Sequence, residues 1–393
     1  MSLPRPVLLG ASLLALSLAV GSSSASTAGA SAGSATGASA GSVGAAAGRP
    51  APRARTIEGW PVATPSRLGL RTKAVRRGAA EARRLDSTCF AVLRKGKLVG
   101  EWNWQMAREE PREVFSITKS VTSTLVGIAV RDGDLRLDDP VSTYVPQWRG
   151  TPSESVTVRN LLSNDSGRFW SLQSDYADLL AARSRTRYAV SLPQQYAPGS
   201  AWAYNNAAIQ VLEPVLEKAT GMPVARFARE RLFEPLGMTR SSLITDRAGD
   251  AAVFYGLRTT CLDIARLGRL HLDRGKVGGK RILDAAYVRR AVGRSSTVHN
   301  AAYGYLWWLN RPGSLRGATD PVDAQGQPLR PVTGQLAPSA PVDVFAALGL
   351  GGQVLLVDPS TRTMVVRLGL PAQSGEEPYG FGDAARVLTR ALR

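Results

Sequence analysis

The chain has 393 residues, 44% of them hydrophobic, with a formal net charge of +18 and only two cysteines and two histidines. That is enough apolar material for one large core or two closely packed subdomains, and it excludes a fibrous or disordered chain. With so few histidines and cysteines, a zinc site built on H-E-x-x-H or C-x-x-C spacing is excluded as well. The positive charge is spread over "RRGAAEARR", "RSRTR" and "RRAVGR" with no interleaved aromatic residues, so a nucleic-acid groove is not expected. A basic surface suits water or an anionic cell-wall polymer better.

In chain order, residues 1–25 read as a signal peptide. Arg5 supplies the positive start, Val7 to Val20 the apolar run, and Ala25 or Ala28 a small residue for cleavage. At about 14 residues that run is short for a bilayer span, which takes roughly 20. The expected location is therefore secreted or extracytoplasmic, with no stable membrane insertion after processing. Residues 26–55, dominated by Ser, Ala and Gly, form a flexible linker with no large side chains to pack. The folded domain is expected over 56–393.

It opens with a helical stretch and a hairpin over "STCFAVLRKGKLVGEWNW", turning at Arg94-Lys95-Gly96-Lys97. An apolar helix follows in "FSITKSVTSTLVGIAVRDG", closed by Asp132-Gly133. From about 140 to 240 short helical patterns alternate with loops. Within them Ile209, Leu212 and Leu216 share a helical face that Pro214 should kink or deprive of a hydrogen bond, before a stop at Gly221. A helix ending near Gly275, strands on either side of Asp358-Pro359-Ser360 and a last helix from about Asp383 complete the chain. Strands at both ends with helices between imply an α+β fold, an antiparallel sheet with an inserted helical subdomain. Cys89 and Cys261 form an even count in an exported chain and can pair across about 170 residues, worth about 4 to 5 kcal/mol; buried free thiols are the alternative.

The catalytic question centres on the start of the apolar helix. No G-x-S-x-G elbow and no phosphate-binding loop are present, and neither His271 nor His299 sits in a triad-like context. Of the seven lysines only Lys119 follows a serine at three residues' distance. Ser116 and Lys119 share a helix face, and a lysine desolvated there can act as a base toward the serine. The helix N-terminus favours negative charge developing at the serine and lowers the lysine's proton affinity.

"FSITKS" together with "YAPGSAWAYNNAAIQVLE", "TTCLDIARLGRLHLDRG" and "GLGGQVLLVDP" resembles the penicillin-recognising serine hydrolases. These comprise class C β-lactamases, D-alanyl-D-alanine carboxypeptidases, related esterases and 6-aminohexanoate-dimer hydrolase. The resemblance runs from about Thr88 to the C-terminus and looks nearest to the last two. It implies a β-lactamase/transpeptidase-like fold with Ser116 as nucleophile, Lys119 as its proton acceptor and Tyr204 handing a proton to the leaving group. Asn206 would orient Lys119 or bind the substrate carbonyl. The family's third element, a basic residue, Thr and Gly, is matched by Ala347-Leu348-Gly349, which lacks the cation and the hydroxyl that grip a substrate carboxylate. Gly349 would still let substrate approach, and the backbone N–H groups of Leu350 and Ser116 would form the oxyanion hole. Phe169, Trp170, Tyr176, Trp307 and Trp308 fall in segments that line the cleft in relatives, and without the cation they suggest an apolar acyl pocket.

The expected function is a serine hydrolase of small-molecule esters or amides, with no metal or organic cofactor. The alternatives are a β-lactamase or D-alanyl-D-alanine carboxypeptidase, and a non-catalytic cell-wall-binding protein.

Overall fold

The computed structural model describes residues 55–320, 322–323, 326–327, 329–370 and 378–392. The proposed signal peptide, and the linker up to residue 54, lie outside the described residues. From Thr56 onward the chain forms one compact unit.

Its main elements are α1 (Thr72–Arg84), β1 (Ser87–Arg94), β2 (Lys97–Asn103), α2 (Ile117–Asp132), α3 (Asn206–Gln210), α4 (Leu212–Thr220) and α5 (Cys261–Leu272), then β3 (Trp308–Leu309), β4 (Phe345–Gly349), β5 (Gln353–Asp358), β6 (Thr363–Gly369) and α6 (Phe381–Ala391). The strands pair antiparallel in the order β3-β4-β5-β6-β1-β2, so the C-terminal strands complete the sheet begun by the first hairpin. That hairpin turns through Lys95 and Gly96, both at positive φ (48° and 73°), the conformation a two-residue turn needs to match strand twist.

Alternation along the central strands feeds two cores. Phe90 and Val92 of β1 and Val365 of β6 face the layer containing α1 and α6. Ala91 and Leu93 of β1 and Val366 of β6 face the opposite layer, which holds α2 and α5. Cys89 and Cys261 are bonded to each other, with Cα atoms 6.4 Å apart, tying β1 to the first residue of α5.

Helix α2 is buried on every side from Ile117 to Ala129, as a central helix must be if it is apolar all round. Its hydroxyls are paired: Thr118 with Phe115 O (2.6 Å), Ser120 with Leu306 O (2.7 Å), Thr122 with Val253 O (2.6 Å) and Thr124 with Ser120 O (2.8 Å). Buried hydroxyls left unpaired would each cost about 1–3 kcal/mol. Gly133, at φ 84°, stops the helix.

The insertion between α2 and α5 consists of short helices and turns. Its longest helical pattern is broken where Pro214 requires: the proline ring clashes with the carbonyl four residues back, Gln210, and α3 ends at that residue while α4 begins at Leu212.

Candidate active site

The approach to α2 is a strained turn. Arg112–Glu113 pairs with Leu257–Thr259, and the Val114 N–H donates to Leu257 O at 3.1 Å. Phe115 then takes φ 48°, a left-handed conformation that costs a bulky residue about 1 kcal/mol or more. The turn delivers half-buried Ser116 to the N-terminus of α2, where the N–H groups of Ile117, Thr118 and Lys119 turn back to Val114 O, Phe115 O and Ser116 O.

Lys119, only 1% exposed, places its Nζ 2.8 Å from Ser116 Oγ and 3.0 Å from the Phe254 carbonyl oxygen. The Nζ also lies 4.6 Å from the centre of the Tyr204 ring. Burial lowers its pKa from 10.5 to about 7, opposed by the charge of Asp175. An amine that gives one N–H to Phe254 O has its lone pair available for the Ser116 proton.

Tyr204 is buried, stacked on Trp308 (5.6 Å between ring centres, 26° between planes) and met edge-on by Tyr303. Burial raises its pKa, while Ser116 and the Trp308 indole, both facing the hydroxyl, draw it partly back. The phenol therefore keeps its proton at neutral pH and is a donor at rest.

The end of β4 lies against the entry to α2. A Cβ added to Gly349 would stand 2.3 Å from Val114 O, so only glycine permits the approach. The next residue, Leu350, is exposed. Behind it buried Gln353 donates through Nε2 to Leu350 O at 3.1 Å and to Gly369 O at 2.7 Å, and Arg367 donates to Gly351 O, which holds the turn in place.

The other expected residues fall unevenly. Of the two roles expected of Asn206, the structure gives the orienting of Lys119 to Phe254 O; the Asn206 side chain faces Tyr176, and its Oδ1 is buried without a partner. Trp307 is a correction. It is fully buried among His271 (4.6 Å) and Phe345 (5.3 Å), inside the core that holds α2 and α5, and is closed off from solvent. The strand β3 begins only at Trp308, and it is Trp308 that reaches Tyr204. Phe169, Trp170 and Tyr176 are half-buried. Neither histidine joins the site: His271 Nδ1 pairs with Leu267 O and His299 Nε2 with Gly199 O.

One residue was missed altogether. Asp175, 1% exposed, accepts from the backbone N–H groups of Asn206 (2.8 Å) and Ala207 (2.9 Å). The only trace in the sequence is a lone acid inside the aromatic segment "FWSLQSDY".

A profile described as Beta-lactamase matches residues 71–384. The chain belongs to the Beta-lactamase family. Within that family it is similar to the 6-aminohexanoate-dimer hydrolase of Paenarthrobacter ureafaciens, 25% identical over 319 residues that cover 72% of this chain and 74% of that protein. It is also similar to Esterase EstB of Burkholderia gladioli, 31% identical over 215 residues, 48% of this chain and 55% of the esterase. The fold matches the D-alanine carboxypeptidase AmpC from Burkholderia cenocepacia with a TM-score of 0.57 and 20% identity, covering 82% of this chain and 99% of that one. EstCE1, a hydrolase with promiscuous acyltransferase activity, matches with a TM-score of 0.61 and 19% identity, covering 83% and 99%. The curated relatives are hydrolases, and this Beta-lactamase family member has the family's α+β fold.

Proposed function

We propose that the protein is an exported serine hydrolase that cleaves an ester or amide through an acyl-enzyme on Ser116. The observation that carries this is the buried Lys119 amine, 2.8 Å from Ser116 Oγ and with a pKa near neutrality at about 7. A solvated lysine would be charged and unable to accept a proton.

In this reading Lys119 takes the Ser116 proton as Oγ attacks the substrate carbonyl carbon. The oxyanion that forms is held by the N–H groups of Ser116 and Leu350, each worth roughly 3 kcal/mol. Collapse breaks the bond to the leaving oxygen or nitrogen, which receives a proton from Tyr204, and the phenol regains its proton from the Lys119 ammonium, leaving both groups as they began. Water then attacks the acyl ester, releases the acid and restores the serine hydroxyl. The lowered pKa of Lys119 and the raised pKa of Tyr204 support this division, with the lysine as base and the phenol as acid.

Ala347 and Leu348 offer no charge to a substrate carboxylate at the end of β4, which favours neutral acyl groups. The esterase and 6-aminohexanoate-dimer hydrolase relatives are consistent with either leaving group. Export rests on residues 1–25. The test is turnover of p-nitrophenyl esters and of linear amides by wild type, Ser116→Ala and Tyr204→Phe, with circular dichroism as the check on folding. Both variants should be folded and inactive, and retained activity in Ser116→Ala would end the mechanism.

A further inference from the structure

Asp175 is a buried carboxylate that the reaction above does not use. It lies in an irregular helical turn, Ser174–Asp178, far in sequence from both catalytic motifs. No arginine or lysine pairs with it among the described residues' ion pairs. Its Oδ2 accepts from Asn206 N at 2.8 Å and its Oδ1 from Ala207 N at 2.9 Å. Those amides follow Tyr204 by two and three residues, so the carboxylate grips the backbone turn that carries the phenol. From the other side Asn205 holds the same turn, donating to the Arg168 and Phe169 carbonyls and accepting from Ala208 N at 2.7 Å.

Asp175 also faces Lys119 electrostatically. Around the amine, α2 contributes only the neutral Ser116 hydroxyl, and the loop before Leu257 only the Phe254 carbonyl and ring. The segment before α3 contributes the neutral Tyr204. The 174–178 turn contributes Asp175, whose charge is the one that acts on Lys119 among the described residues. The Trp170 indole N–H faces the carboxylate too, outside hydrogen-bond geometry.

We propose that Asp175 is a positioning residue: it clamps the turn that carries Tyr204 and, through that turn, acts on Lys119, whose Nζ lies over the Tyr204 ring. This rests on the hydrolase reading above. Two roles follow from one group: its acceptor oxygens fix where the proton donor stands, and its charge keeps the desolvated lysine from losing its proton too readily. Burial raises the pKa of Asp175, while the Asn206 and Ala207 N–H groups and the charge of Lys119 draw it back.

The test is the pH dependence of kcat/KM for p-nitrophenyl acetate in wild type, Asp175→Asn and Asp175→Glu. Removing the charge should move the acid limb down by about one pH unit. The misplaced turn should also cut the maximal rate by about tenfold or more. Asp175→Glu, which keeps the charge, should leave the limb near its wild-type position. An Asp175→Asn protein that loses rate with an unmoved limb would reduce the residue to a structural role and overturn the proposal. If Asp175→Asn does not fold, the wild type still decides. In protein labelled with carbon-13 at lysine Cε, the Lys119 resonance should show a second inflection from Asp175, and a single inflection overturns the coupling. That resonance needs no turnover, so it separates failure of this proposal from failure of the hydrolase reading.

Discussion

Replacing Lys119 by methionine should abolish activity and make the protein more stable at neutral pH. The fully buried amine titrates at about 7 in the fold against an ordinary 10.5. Because the folded value is depressed, its contribution to stability is fully present above about 10.5. It is lost progressively as the pH falls, reaching the full penalty below about 7. At about 1.4 kcal/mol for each pH unit between the two values, the penalty at pH 7 is about 5 kcal/mol. Methionine fills much the same volume without it. The Phe254 carbonyl, which Nζ engages at 3.0 Å, then loses its donor, at a cost of about 1–3 kcal/mol. The net gain at pH 7 is therefore about 2–4 kcal/mol. At pH 10 the charge penalty has fallen below about 1 kcal/mol, and the variant should be level with wild type or weaker. Urea unfolding with the disulfide intact, at pH 7 and pH 10, reads both numbers. A variant destabilised by the same amount at both pH values would show that Lys119 carries no desolvation penalty, and the argument for its free amine would fall.

Further outcomes follow from the same geometry. Gly349→Ala should lower activity by about tenfold or more, because the added carbon meets Val114 O at 2.3 Å and pushes β4 away from Ser116; ester kinetics with a thermal melt check it. Trp307→Ala should cost about 3–5 kcal/mol of stability, while Trp308→Ala, which removes only the half-buried ring stacked on Tyr204, should act mainly on kcat. Reducing Cys89–Cys261, which spans 172 residues, should remove about 5 kcal/mol in denaturant titration, in line with the entropy of so long a loop.

The parts of this molecule that were legible in its sequence are those set by local chemistry. The positive-φ turn at Lys95-Gly96, the stop at Gly133, the break before Pro214 and the shared face of Ser116 and Lys119 each follow from neighbouring residues. The α+β layout followed from where the strands fall along the chain. What stayed hidden depends on which residues meet across the fold. Trp307 and Trp308 were expected in the cleft alike, and what separates them is the packing of Trp307 against His271 and Phe345, residues distant in sequence. The partner of Lys119 is a backbone carbonyl at Phe254, and a backbone atom leaves no mark in residue type. Asp175 meets Asn206 and Ala207 across 31 and 32 residues of chain, so none of its sequence neighbours marks the contact.

The most direct test of the central claim is intact mass after exposure to a fluorophosphonate, with wild type beside Ser116→Ala. An activated serine at position 116 predicts a single adduct on the wild type and none on the variant. Equal labelling of both proteins, or of neither, would contradict it.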